Sequence, residues 1–243
     1  MGQLVKAVVT GGIATITLDS PANRNALSQQ LLGDLHAALD TVEEAGARVV
    51  VLAHAAPVFC AGADLKERAA GKVDSDSFVR AIERLGTIPA AVIAAVDGPV
   101  RAGGLGVMAA CDLVVVNASI TFALTEVRIG VAPAIVSGPL LQRCNWSKLA
   151  APFLTGEVFD ARRALEMGLV THVTDDVAAT VDELCRNILL GGPNAVAATK
   201  RLLRSTTRSM ADLQALSESL FSSEEGREGM AAYAEKRAPR WAS

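Results

Sequence analysis

"RVVVLAHAAPVFCAGADLKE", residues 48–67, decides how the chain is read. Arg48 to Ala53 is a β-branched apolar run of the kind that forms a strand buried on both faces. The apolar character continues to Phe59 and stops at Cys60-Ala61-Gly62-Ala63, after which come Asp64, Leu65 and Lys66. A strand that ends on almost bare backbone serves one of two purposes. It is a tight turn that matters only for folding, or a place where backbone N–H groups must touch a ligand.

Working outward, residues 3–10 and 13–19 alternate around Gly11-Gly12 and predict a β-hairpin, since paired glycines supply the positive φ of a tight turn. "DSPANRNALS" (19–28) is rich in turn formers, and Ser28 is placed to cap a helix whose apolar face is Leu31, Leu35, Ala38, Leu39 and Val42. A helix is expected at about 74–86. The strand "AVIAAVDG" (91–98), the glycine cluster "AGGLG" (102–106), a helix-like run ending at Cys111-Asp112 and the strand "LVVVNA" (113–118) follow. Strands alternating with helices predict an α/β fold with parallel strands. From about residue 145 the pattern is helical, with amphipathic segments at 146–154, 160–167, 176–190, 194–208 and 211–233. The expected organisation is a core over 1–190 and a helical C-terminal region over 191–243, with no internal sequence repeat.

Composition excludes several classes. Hydrophobic residues make up 51% of the 243 and charged residues 20%, enough for a sizeable core, and the net charge of −3 advertises neither nucleic-acid nor membrane-surface binding. The apolar stretch at 89–96 is far too short to span a bilayer. The segment "MGQLVKAVVTGG" has no signal-peptide pattern, and Lys6 departs from the myristoylation consensus. Cys60, Cys111, Cys144 and Cys185 are scattered and do not cluster with His36, His54 or His172, so neither a metal site nor a disulfide framework is expected. A cytoplasmic location is the expectation.

Three places look chemical. Gly62-Ala63 and Ala102-Gly103-Gly104 are both strand ends stripped of side chains, and two such ends can point N–H groups at one oxygen. A helix starting near Gly103 would add its positive end. The third is "TFALTEVRIGVAP" (121–133), where Glu126 stands among apolar residues and burial would raise its pKa. Each has a plainer reading: small residues after a strand ordinarily form turns, Glu126 can be a solvated residue or a partner of Arg128, and Asp64 and Lys66 can simply begin a helix. Physics alone leads to an α/β enzyme with a possible oxyanion site.

"FCAGADLKE", "AGGLGVMAACDLVV", "FALTEVRIGVAP", "TGEVFDARRALEMGLV" and "EEGREGMAAYAEKR" occur in this order and span nearly the whole chain. Together they resemble the crotonase, or enoyl-CoA hydratase/isomerase, superfamily. The resemblance implies a spiral of ββα units, C-terminal helices that make a homotrimer or a dimer of trimers, an acyl-CoA substrate, and fatty-acid metabolism. It implies no separate cofactor, because coenzyme A is part of the substrate. It implies that Ala63 and Gly103 donate N–H groups to the thioester oxygen. Arg24, Ala61, Asp64, Leu65 and Lys66 would line or hold the CoA moiety, and Tyr233 and Lys236 would reach the CoA of a neighbouring subunit. Glu126 matches one of the two acids of the family. The other, found in a motif resembling "GGGCELA", falls on Gly106 when aligned through Cys111-Asp112.

With one acid, three outcomes stay open. They are hydration of a 2-enoyl-CoA with Glu126 moving both protons, a 3-enoyl to 2-enoyl shift with one base, and a non-hydratase outcome such as thioester hydrolysis or acyl-CoA binding without catalysis. The glycine in place of the second acid is also similar to methylglutaconyl-CoA hydratases. Arg101 either points away toward an acid or meets a carboxylate on the acyl tail. His54 is expected to be structural, and Cys60 and Cys111 to be buried fillers.

Overall fold

The structure is a computed structural model that describes residues 2–72, 75–205 and 208–242. β1 (Val5–Thr10) and β2 (Ile13–Leu18) form the expected antiparallel hairpin, with Val5 opposite Leu18 and Thr10 opposite Ile13. Its turn holds Gly11 at φ 58° and Gly12 at φ 80°, angles that carry no steric cost for glycine. Ser28 caps α1 (Gln29–Glu44) by accepting the N–H of Leu31 at 3.2 Å, and the predicted apolar face, Leu31 to Val42, is buried.

β3 (Val49–His54) is followed by α2 (Leu65–Ala69) and α3 (Ser75–Thr87). The expected start of that helix at Asp74 lies outside the described residues. Then come β4 (Ala91–Val96), β5 (Val100–Arg101), α4 (Gly103–Ala110), β6 (Leu113–Asn117) and β7 (Thr121–Ala123). A 3-10 turn at Glu126–Ile129 leads to α5 (Ala134–Arg143) and α6 (Trp146–Thr155). The rest is β8 (Val158–Asp160), α7 (Ala161–Met167), β9 (His172–Thr174), α8 (Val177–Leu189), α9 (Pro193–Arg204), α10 (Met210–Ser222) and α11 (Glu224–Ala234).

The main sheet has the order β1-β2-β3-β4-β6-β9, and every pairing after the hairpin is parallel. A second sheet, β5-β7-β8, is built from short strands. The units β1-β2-α1 and β4-β5-α4, and β6-β7 leading through the 3-10 turn to α5, give the ββα spiral in chain order. β3 explains why its sequence is apolar without alternation. Val50 and Leu52 enter the large core with α1 and α4, while Val49 and Val51 pack with Ile93, Val115 and α8 on the other side.

Two expectations for the C-terminal third change. The region after residue 145 is not purely helical, because β8 joins the small sheet and β9 extends the main one beside β6. Three-residue strands are too short to show a period and are made by their partners. The segment 211–233 is two helices. Ser223 ends α10 and its Oγ accepts the N–H of Gly226 at 2.9 Å, starting α11. α9 ends at Arg204, and the expected continuation through residues 206 and 207 lies outside the described residues. Lys200 of α9 is 6% exposed and meets Asp112 at 2.8 Å, which ties this helix to the end of α4. α10 buries none of its residues.

Candidate active site

Cys60 pairs with Val100, and Leu27 with Ala63, so the loop after β3 is laid against the entry to α4. The approach is close enough to require the missing side chains. A Cβ on Gly62, whose φ is 91°, would stand 2.7 Å from Ala102 Cβ, and one on Gly104 would stand 2.7 Å from Cys60 Cβ. Ala102 itself has φ 47°, a left-handed conformation that is strained for a residue with a Cβ. Its N–H donates to Ala123 O at 3.0 Å, which fixes the first turn of α4.

The outcome is a pair of neighbouring amides. A Cβ on Gly103 would lie 3.7 Å from the Ala63 nitrogen, and one on Gly62 would lie 3.3 Å from the Gly103 nitrogen. Among the described residues, no hydrogen bond engages the N–H of Ala63 or of Gly103. Gly103 is buried and Ala63 half-buried, and as the first residue of α4 Gly103 has no partner within the helix, so both N–H groups are available to an acceptor brought in from outside. Gly103 also opens α4, so the positive end of that helix faces the same spot.

Both amides line a cleft of about 580 Å³ together with Glu126. Its walls are mainly apolar, with Phe78 on one side and Ile135 and Val136 of α5 on another. Glu126 is placed by a tight local structure. It begins the 3-10 turn, Gly130 ends that turn at φ 79°, and Glu126 O accepts the N–H of Val131 at 3.1 Å. The carboxylate is half-buried, and its Oε2 is shielded from solvent with no hydrogen-bond partner. Burial pushes its pKa above the ordinary glutamate value of 4.5. The plainer expectation of a pair with Arg128 is not met, because Arg128 Nε donates to Thr155 O at 3.1 Å.

The remaining candidates separate. Ala61 and Leu65 line the cleft, and Ala61 N–H donates to Arg24 O at 3.0 Å, which sets Arg24 beside this strand end. Asp64 is the cap of α2, its carboxylate accepting from the N–H groups of Lys66 and Glu67 at 2.9 and 3.2 Å. Lys66 is exposed and outside the cleft lining. Tyr233, 88% exposed, and Lys236 belong to the C-terminal helical region, which contributes nothing to the described lining of the cleft.

Arg101 points away as one expectation had it, but it meets neither an acid nor the acyl tail. Its guanidinium donates to Val100 O and Thr121 O at 2.9 and 2.6 Å and to Thr121 Oγ1 at 2.8 Å, so it points away from the cleft and toward neutral oxygens rather than an acid. His54 is structural as expected, its Nε2 accepting the N–H of Asp97 at 3.1 Å. Cys60 and Cys111 are fully buried, and burial pushes both thiols up to about 12.

Gly106 lies on the second turn of α4. A Cβ there would touch Ile82 Cδ1 at 3.4 Å and Val136 Cα and Cγ2 at 3.5 Å, so a side chain at this position would be flanked by an apolar wall from α3 and α5. Sequence reading missed this wall, and it missed Arg68, which lines the cleft from α2. The spacing Leu65, Arg68, Ala69 is the signal that would have found it, since i, i+3 and i+4 share a helix face. Among the described residues, no cluster of three or more His, Cys, Asp or Glu could hold a metal, and no helix is long and apolar enough to cross a membrane.

Residues 9–243 match the family model described as enoyl-CoA hydratase/isomerase. Enoyl-CoA hydratase EchA19 of Mycobacterium tuberculosis is 34% identical, over 94% of this chain and 92% of its own. The mitochondrial methylglutaconyl-CoA hydratase of Mus musculus is 30% identical, over 95% of this chain and 79% of its own. Among solved structures, an enoyl-CoA hydratase from Mycobacterium avium is 41% identical with a TM-score of 0.77, covering 99% of this chain and 100% of its own. An enoyl-CoA hydratase/isomerase from Marinobacter aquaeolei is 27% identical with a TM-score of 0.91, covering 100% of both chains. With the motifs in order, the ββα spiral and a match over nearly the full length, the chain belongs to the enoyl-CoA hydratase/isomerase family.

Proposed function

We propose that the protein is a hydratase that adds water across the 2,3 double bond of a 2-enoyl-CoA, with Glu126 as its single acid/base. The observation that carries this reading is the shielded, unpartnered Oε2 of Glu126 in the same cleft as two undonated amides. The thioester oxygen accepts from the N–H groups of Ala63 and Gly103. Glu126 takes a proton from water as the water oxygen bonds to C3. The π electrons of C2=C3 move toward C1, and the enolate charge that forms on the thioester oxygen is held by the two amides. Glu126 then returns its proton to C2. The product carries hydroxyl at C3 and hydrogen at C2, and Glu126 is a carboxylate again. A raised pKa suits a group that must both take and give a proton.

The wall at Gly106 supports a second reading, the 3-enoyl to 2-enoyl shift. That reaction needs no water and only one base, which takes a proton from C2 and returns it to C4. An acyl-CoA binder without catalysis has no use for an unpartnered carboxylate in its cleft. The C-terminal helices are proposed to join copies of the chain into a trimer, because α10 offers Met210 and Phe221 to solvent at 79% and 64% exposure and buries nothing. In that assembly Tyr233 and Lys236 would reach a neighbour's CoA, and Arg24 and Lys66 would meet the CoA of their own subunit. No cofactor beyond the CoA of the substrate is required. Incubation with crotonyl-CoA and with a 3-enoyl-CoA, followed by product identification, tests the reading. Formation of 3-hydroxyacyl-CoA from crotonyl-CoA is expected, and isomerisation without hydration would transfer the assignment to the second reading.

A further inference from the structure

Arg68 is the one cation among the described residues that line the cleft, and it is exposed to solvent there. It stands on the same face of α2 as Leu65 and Ala69, five residues after the Ala63 amide. Among the described residues, no hydrogen bond or ion pair engages its side chain. The nearby acids of its own segment are already used. Asp64 caps α2, and Glu67 accepts the N–H of Gln29 at 2.8 Å. Nor does Arg68 serve Glu126. A guanidinium close to that carboxylate would pull its pKa down, whereas burial dominates and pushes it up. A planar fork of donors with no internal anion, on the wall of a mostly apolar cleft, is built to receive a carboxylate in a two-point contact.

We propose that Arg68 is a substrate-binding residue that selects acyl chains ending in a carboxylate. The proposal rests on the acyl-CoA reading above and deepens it. The thioester oxygen sits at the Ala63 and Gly103 amides, the chain runs along Leu65, Ala69 and Phe78, and its terminal carboxylate meets Arg68. The other anion that an acyl-CoA carries is the phosphate of CoA. Both cations are exposed, and Lys66, on a different face of α2 and outside the cleft lining, is the better placed one for that group.

The test compares glutaconyl-CoA, a 2-enoyl-CoA with a terminal carboxylate, with crotonyl-CoA, which lacks it. The wild-type protein should favour glutaconyl-CoA in kcat/KM by about tenfold or more, the scale of a hydrogen-bonded charged contact. Arg68→Met should lower the ratio of the two toward one, and Arg68→Lys, which keeps charge but loses the fork, should fall between. Thermal melting of each variant reports folding. An equal loss on both substrates would assign Arg68 to the CoA phosphates and overturn the proposal, as would a ratio that Arg68→Met leaves unchanged. If neither substrate is hydrated, the hydratase reading fails on its own. The same ratio, read as dissociation constants of the two thioesters by calorimetry, still decides the role of Arg68.

Discussion

Glu126 holds one carboxylate oxygen out of water with no donor beside it, and this has consequences for rate and for stability. Glu126→Gln keeps the shape and removes the base, so turnover of a 2-enoyl-CoA should fall by roughly 100-fold or more while the thioester still binds. Steady-state kinetics together with calorimetric binding check both parts. The same substitution should make the protein more stable at neutral pH. Burial raises the folded-state pKa of Glu126, so its protonated form is the one that the fold favours. That contribution is fully present below the ordinary glutamate value of 4.5 and is lost as pH rises through the raised value. Gln is neutral throughout. Melting curves from pH 4 to 8 should therefore show the variant above wild type at the upper end, with the gap closing toward the lower end.

At the scale of elements, the site is made by α4 approaching the end of the β3 segment, and glycine is what permits the approach. Gly104→Ala would force a Cβ to 2.7 Å from Cys60 Cβ and 2.9 Å from Cys60 O, both held by the core. The expected cost is about 1–3 kcal/mol, the usual range for overpacking. A fall in Tm of roughly 2–4 °C per kcal/mol follows for a chain of this size. Gly106 obeys a different constraint. Its Cβ would make only ordinary contacts with Ile82 and Val136, and a longer, charged side chain is expected to crowd that apolar pair. Gly106→Glu alone should thus lower Tm without raising hydration. Combined with Val136→Gly it should gain more hydration than the two single changes together. A double-mutant cycle on kcat/KM, with crotonyl-CoA as substrate, measures that coupling.

For the whole molecule, α10 leaves Leu213, Leu216 and Leu220 half-buried and Met210 and Phe221 exposed, and it buries no residue within its own chain. Under the proposed assembly, the wild-type protein should sediment as a trimer or a dimer of trimers. Leu216→Lys with Phe221→Lys should sediment as a monomer. If Tyr233 and Lys236 do reach a neighbour's CoA, the monomer should also show a raised KM with a smaller change in kcat, since contacts to CoA are shared by ground and transition states.

Much of the fold was legible in the chain because its signals are local. The glycine pair at 11–12, the Ser28 cap, the apolar face of α1 and the unbroken β-branched run of β3 each act over a few residues, and all four are in the structure as read. The carboxylate at 126 and the bare strand ends at 62–63 and 103–104 were also visible, because chemistry-bearing residue types stood out against an apolar background. Strands β8 and β9 were not legible, since three residues hold no period and become strands only through their partners. The ββα repeat was invisible as a sequence repeat, because packing conserves geometry rather than residue type. Only the tertiary structure decided that Arg101 turns to Thr121, that Arg68 lines the cleft, and that Val136 stands beside Gly106. Those outcomes depend on which surfaces meet across long stretches of chain. Local sequence sets backbone preference and burial, and the direction of a side chain between two packed elements follows from the shape of both.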